Sequence, residues 1–201
     1  ADSRLVAGTS SGGLSCSDDG GRHWTTADVD LAGADVFALA ASPVGGGISG
    51  THLYAGTSKG VFRSTDACEH WTTASGGLAG FSHVQTLAVL TSSGGTRGTD
   101  LFAGTWSGMF RFSHDGERWT GPMAGLLYQD IRSFAVSGAR LFAGTKRGGL
   151  FVSTDNGTSW TAANTGIPAY VDVLSLAILP ASGGTDGICL VAGTSEGVFR
   201  S

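Results

Sequence analysis

Short apolar runs of strand length recur along this chain, separated by loops rich in Gly, Ser and Thr. Residues 84–120 show the pattern most clearly. Val84-Gln85-Thr86-Leu87-Ala88-Val89-Leu90 is followed by a Gly/Ser/Thr-rich loop and then by Leu101-Phe102-Ala103-Gly104-Thr105. Trp106-Ser107-Gly108 turns the chain into Met109-Phe110-Arg111-Phe112, and a turn around Asp115-Gly116 leads to Arg118-Trp119-Thr120. These runs predict four short strands joined by turns. No segment sustains a 3.6-residue period, so no helix longer than about one turn is expected.

The unit is repeated. Leu-x-Ala-Gly-Thr occurs at Leu5–Thr9, Leu53–Thr57, Leu101–Thr105, Leu141–Thr145 and Leu190–Thr194, a period of about 40–50 residues. Such a period means one supersecondary unit copied several times, none able to bury its faces alone. Four short antiparallel strands per unit describe an all-β propeller blade. First strands fall near residues 36, 84, 131 and 173, second and third strands occur five times, and fourth strands four times. Five blade units with incomplete first and last members fit this count. A ring of four blades would leave the last two runs unused, and a piece of a longer propeller is a further option. Because the repeats, beginning near 5, 53, 101, 141 and 190, run end to end, residues 1–201 are expected to form a single propeller domain.

A second signature marks the turn between third and fourth strands. Ser17-x-Asp19-x-Gly21-x-x-Trp24 and Ser153-x-Asp155-x-Gly157-x-x-Trp160 share one form. Ser64, Asp66 and Trp71 repeat it with Cys68 in place of Gly, and the third unit keeps Gly116 and Trp119. A short acid can accept backbone N–H bonds within its own turn. Gly supplies positive φ, and Trp buries its ring beneath the hairpin. All four Trp residues are therefore expected to be largely buried.

This pattern resembles the Asp-box, or bacterial neuraminidase repeat, of sialidase-like propellers, which sortilin-type receptors, xyloglucanases and photosystem assembly factors share. The resemblance covers nearly the whole chain. It implies a propeller whose Asp-box turns lie on the face away from a catalytic site, so that their Ser, Asp, Gly and Trp residues are structural. It says almost nothing about activity.

Composition narrows the classes. Apolar residues make up 41% of the chain, enough for a sizeable core, and 34 Gly against 4 Pro suit many tight turns. The net charge is −4 with no basic stripe, which argues against nucleic acid as a partner. No apolar run approaches the length of a membrane-spanning helix. The chain begins Ala-Asp-Ser, which fits a processed protein that is secreted or lies in the periplasm or outside the cell, or an excised domain. Cys16, Cys68 and Cys189 form no paired metal spacing. With Cys68 in a turn, Cys16 in a strand and Cys189 three units on, all three are expected to be free, beyond the ~7 Å Cα limit of a bridge. Cys68-Glu69-His70 reads as a turn variant, since a zinc site needs three or four converging ligands. No phosphate loop or nucleophile elbow is present, so neither metal nor cofactor is expected.

Residues repeated in every unit build blades, so functional candidates are those that differ. Arg63, Arg111 and Arg200 share one third-strand position and read as blade-surface residues, not as a carboxylate-binding triad. Asp35, Asp130 and Asp172 share a position before the first strand, with His83 replacing the acid once. A hydrolase needs two carboxylates in different environments, whereas equivalent positions suggest a cap on strand beginnings. The turns after Leu-x-Ala-Gly-Thr vary within a constant frame, as binding loops do. Trp106, Tyr128, Tyr170, Lys146 and Arg147 are the candidates for ligand binding, with Phe81 beside the two tyrosines. The expected function is non-catalytic binding of a protein or glycan through this loop face. The alternative is a glycoside hydrolase related to sialidases or xyloglucanases.

Overall fold

The computed structural model describes residues 4–27, 31–43, 51–78, 80, 83–91, 99–113, 118–126, 129–180 and 188–201. They form five antiparallel sheets that follow one another along the chain. The first holds β1 (Leu5–Thr9), β2 (Gly13–Ser17) and β3 (Thr25–Thr26). The second holds β4 (Val36–Pro43), β5 (Thr51–Thr57), β6 (Gly60–Ser64) and β7 (Thr72–Thr73). The third holds β8 (Val84–Thr91), β9 (Thr99–Thr105), β10 (Gly108–Ser113) and β11 (Arg118–Thr120). The fourth holds β12 (Ile131–Ser137), β13 (Arg140–Thr145), β14 (Gly149–Ser153) and β15 (Thr161–Ala162), and the fifth β16 (Val173–Pro180), β17 (Ile188–Thr194) and β18 (Gly197–Arg200). Each sheet is a simple meander. No α-helix occurs among the described residues. The fold is an all-β propeller of five blades; among the described residues the first has no first strand and the fifth no fourth.

The repeated Leu-x-Ala-Gly-Thr now has a physical account. Leu101 and Leu141 are fully buried, and Ala55, Ala103 and Ala143 leave room for packing on both sides. The Gly marks where the next sheet touches. A Cβ on Gly56 would lie 2.8 Å from Val84, on Gly104 2.7 Å from Ile131, and on Gly144 2.6 Å from Val173. Gly8 meets Val36 in the same way. The β-branched residue opening each new first strand thus seats on the glycine of the sheet before it, and Ala there would push the two apart. The Thr closes the following turn: Thr57, Thr105 and Thr145 Oγ1 each donate to a Gly carbonyl at 2.9 Å.

Three Ser–Asp turns are held by hydrogen bonds within the turn, and Asp115 and Gly116 lie outside the described residues. Ser153 Oγ donates to Asp155 Oδ1 (2.8 Å) and accepts from the Gly157 amide (2.8 Å). Asp155 in turn accepts the Ser159 amide and hydroxyl. Ser17 with Asp19, and Ser64 with Asp66, repeat these bonds at 2.9 Å. In both turns the next-but-three residue is a histidine whose Nδ1 meets the same carboxylate, His23 on Asp19 and His70 on Asp66. These bonds hold Asp19, Asp66 and Asp155 each at a pKa of about 2. The first cause is the His23 amide for Asp19, the His70 amide for Asp66 and the Ser159 hydroxyl for Asp155. Carboxylates depressed on folding contribute stability that is complete above the ordinary value of 3.8 and is lost as pH falls toward 2. Thermal melts are therefore expected to hold steady down to about pH 5 and to fall steeply between about 4 and 2. Asp155→Asn should make that fall shallower. An unchanged slope in the variant would remove this turn as a source of acid sensitivity.

Two expectations need correction. Trp71, Trp119 and Trp160 are buried, but Trp24 is 45% exposed. Each buried Trp packs on the sheet before its own: Trp71 with Leu14 and Cys16, Trp119 with Tyr54 and Val61, Trp160 with Phe102 and Met109. Trp24 belongs to the first sheet, and among the described residues no sheet precedes it. The same overhang corrects the cysteines. The second sheet's Ser–Asp turn lies on the first sheet, which brings Cys68 to Cys16 of β2 with Cα atoms 6.6 Å apart, and the two form a disulfide. Only Cys189 is free, buried under the Arg200 guanidinium.

Candidate functional site

The turns linking second to third strands share a face with the residues that lead into the first strands. Asp35 and Asp172 each tie two sheets together. The carbonyl takes an amide from its own sheet's turn, as Asp35 does from Ser58 (2.9 Å) and Asp172 from Ser195 (3.0 Å). The side chain reaches the turn of the preceding sheet. Asp35 Oδ1 accepts the Ser11 amide (2.8 Å) and Ser10 hydroxyl (2.7 Å), and Asp172 Oδ1 accepts the Arg147 amide (2.9 Å). The Ser10 hydroxyl, then the Ser11 amide, hold Asp35 below the usual carboxylate range. That suits a cap and is opposite to what a general acid requires.

Turn length decides where this cap is used. After Thr9 and Thr145 the turn is one residue longer, and Ser11 (φ 58°) and Arg147 (φ 62°) sit in the left-handed region with their amides aimed at the aspartate. After Thr57 and Thr105 the turn is shorter, and the Lys59 and Ser107 amides bond the Thr Oγ1 of their own turn at 3.0 and 3.1 Å. The lead-in residues facing those two short turns, His83 and Asp130, are thereby released from capping.

Both released residues take up other partners. His83 stacks between Phe37 and Trp106, with ring centroids 4.5 and 4.2 Å apart. Burial lowers its pKa, Asp35 and Asp130 oppose the fall, and Arg132 adds to it, which favours the neutral ring. Asp130 accepts Gln85 Nε2 and Arg132 Nη2, each at 2.7 Å.

Phe37, Gln85, Arg132 and Leu174 occupy one place in four sheets. In each first strand the register jumps across this residue, from Val36 to Ala38, Val84 to Thr86, Ile131 to Ser133 and Val173 to Ser175. A bulge residue leaves the ladder and its side chain is re-aimed. One constant backbone position therefore presents an aromatic, an amide, a guanidinium and an aliphatic side chain in turn. Phe37, Gln85 and Arg132, together with His83, Trp106 and Asp130, make a strip across the second to fourth sheets.

Of the sequence candidates, Trp106 belongs to this strip and is 56% exposed. Tyr170 is 83% exposed, and Lys146 and Arg147 are exposed on the fourth sheet's turn. No hydrogen bond, ion pair or ring contact among the described residues joins these three to Trp106. Tyr128 and Phe81 lie outside the described residues. Phe37, Gln85 and Arg132 were not foreseen; the legible signal was their shared place one residue after the opening Val or Ile. Arg63, Arg111 and Arg200 each lie on a different sheet at one register position, opposite Tyr54, Phe102 and Val191, and Arg111 pairs with Asp100 of its own sheet. Asp66, Glu69 and His70 bring three ligand atoms within 4.8 Å of one another on an exposed turn, where Asp66 and His70 are already bonded to each other.

No family model matches the chain, and no curated protein matches it. Solved structures share its fold. The extracellular domain of BT4673 from B. thetaiotaomicron superposes over 98% of this chain and 26% of its own, with a TM-score of 0.67 and 18% identity. The GH74 xyloglucanase from Xanthomonas campestris does so over 98% and 34%, at 0.67 and 20% identity. YCF48 bound to D1 peptide does so over 100% and 60%, at 0.63 and 15% identity. The chain thus spans about a quarter to three fifths of these proteins, and at such identities the likeness shows a β-propeller fold and nothing finer.

Proposed function

We propose that this chain is a non-catalytic propeller, secreted or otherwise outside the cytoplasm, that binds a protein or glycan partner through its loop face. The observation that supports this most is the strip itself: equivalent positions in successive sheets carry Phe37, Gln85 and Arg132, beside Trp106 and a released Asp130. Variation at fixed backbone positions on a rigid frame suits recognition. Tyr170, Lys146 and Arg147 extend the face toward the fifth sheet. In this proposal the Ser–Asp turns are Asp-boxes with a structural role, and the five blades belong to one propeller domain, whether whole or part of a longer ring. Extracellular placement draws support from the BT4673 domain and from a disulfide, which persists in oxidising compartments. A peptide partner draws support from YCF48.

The likeness to a GH74 enzyme keeps a glycoside hydrolase as the second reading. Glycan and peptide arrays run beside a hydrolysis screen on the glycans that bind separate the two. Binding without turnover is the expected result, and turnover abolished by Asp130→Asn would establish the hydrolase instead.

A further inference from the structure

Two junctions between sheets are built alike. After Thr9 and after Thr145 the turn has the same length and closes on a glycine, Gly13 or Gly149. Ser11 (φ 58°) and Arg147 (φ 62°) hold its left-handed position, and each amide bonds the lead-in aspartate of the next sheet, Asp35 or Asp172. The amide of that aspartate meets a serine hydroxyl in its own sheet's turn, Ser58 at 3.0 Å or Ser195 at 3.2 Å. Two residues ahead of the aspartate the chain is left-handed again, at Gly33 (φ 72°) and Tyr170 (φ 63°). The backbones match bond for bond, but the side chains differ. The junction of the first and second sheets carries Ser10, Ser11 and Gly33, whereas that of the fourth and fifth carries Lys146, Arg147 and Tyr170.

Small residues satisfy this backbone, so the fold does not require the large ones. A left-handed conformation is unfavourable for a bulky residue, and such residues gather at functional sites. The other non-glycine residues with positive φ among those described, Ser11, Ala67, Cys68 and Asn156, are short. The two long ones, Arg147 and Tyr170, flank a single hydrogen bond, from the Arg147 amide to Asp172. Lys146, Arg147 and Tyr170 are exposed, and their side chains take no hydrogen bond, ion pair or ring contact among the described residues. The openness belongs to the position itself. A Cβ on Gly33, at a junction followed by further sheets, would also meet nothing within 4 Å.

We propose that the junction of the fourth and fifth sheets is a docking subsite for an acidic side chain on a peptide segment of a partner protein. The inference rests on the loop face being a binding face and names what one part of it selects. Arg147 offers a planar fork that pairs a carboxylate through two N–H bonds, and Lys146 beside it adds a second positive charge. Tyr170 supplies a ring against which the residue next to the acid packs. A sugar needs acceptors for its hydroxyls as well as donors, and the nearby carboxylates are engaged: Asp130 by Gln85 and Arg132, Asp172 by the Arg147 amide. An acidic side chain needs donors alone, which is what this junction offers.

The test screens the whole chain on a peptide array in which each Asp or Glu is also replaced by its amide, with polygalacturonate as the glycan probe. Wild type is compared with a variant given the residues of the other junction, Lys146→Ser with Arg147→Ser and Tyr170→Gly. Peptides that bind are expected to contain Asp or Glu and to weaken at least tenfold when that residue becomes Asn or Gln. They should weaken at least tenfold on the triple variant, whose melting temperature should equal or exceed that of wild type. Peptides that bind the triple variant unchanged but are lost on Trp106→Ala would overturn this inference and leave the loop-face function standing. Absence of binding to every peptide and glycan would remove both. Polygalacturonate held through these three residues, with no peptide bound there, would overturn the peptide assignment in favour of an acidic glycan. A triple variant that melts well below wild type would assign the three side chains to the fold and overturn the inference as well.

Discussion

Breaking the Cys16–Cys68 disulfide is expected to lower the stability of this protein by about 4 kcal/mol. The bridge spans 52 residues and ties the first sheet to the turn of the second. A cross-link of that span removes about 4 kcal/mol of chain entropy from the unfolded state. The two ways of removing it should differ. Cys68 has φ 85°, where the matching turns hold Gly21 (φ 90°) and Gly157 (φ 78°). A non-glycine residue in that region costs roughly 1–3 kcal/mol, so Cys68→Gly regains part of the loss and Cys16→Ser does not. Urea melts of both variants, with and without reductant, check this. A loss below about 1 kcal/mol for Cys16→Ser would show that the bridge does not staple the sheets, and equal losses for the two would remove backbone strain at Cys68 as a contribution.

The direction in which sheets overlap gives the second large effect. Trp160 is buried between its own turn and Phe102 and Met109 of the sheet before it, so Trp160→Ala should cost about 3–5 kcal/mol. Trp24 holds the same place in its own turn, and each indole N–H donates to the carbonyl of its turn glycine, at 3.1 Å for Trp24 and 3.2 Å for Trp160. Because Trp24 has no preceding sheet to cover among the described residues, Trp24→Ala should cost under about 1 kcal/mol. Equal losses would mean that the Trp acts through its own hairpin and not through the neighbouring sheet.

These two effects also show what a sequence conveys here. The five sheets, their strand order and the Ser–Asp turns were legible because each is local: a run of apolar residues, a turn, a hydrogen bond across a few positions. The contacts between sheets were not. The repeat shows that units stack, but not that the turn of one overhangs the sheet before it. For that reason Cys68 was placed far from Cys16, and Trp24 was grouped with its buried counterparts. The loop face divides in the same way. Trp106 stood out as a tryptophan outside the Ser–Asp turns. His83 showed only as the replacement of a lead-in aspartate, and its stacking on Phe37 did not show, since the two are far apart in sequence and meet only through the side-by-side packing of neighbouring sheets. The length of the preceding turn, which decides whether an aspartate caps or is released, was present in the sequence as one residue more or less before the closing glycine.

The loop-face strip is tested most directly by comparing wild type with Trp106→Ala and Arg132→Ala on a partner drawn from the glycan and peptide arrays, with melting temperatures recorded on the same samples. Trp106 offers a broad exposed ring and Arg132 a planar fork, so each loss should weaken binding at least tenfold, about 1.4 kcal/mol or more, while the melting temperature stays within a few degrees of wild type. Binding retained by both variants, with the stability of either one lowered, would contradict the account and leave Phe37, His83 and Trp106 as packing between sheets.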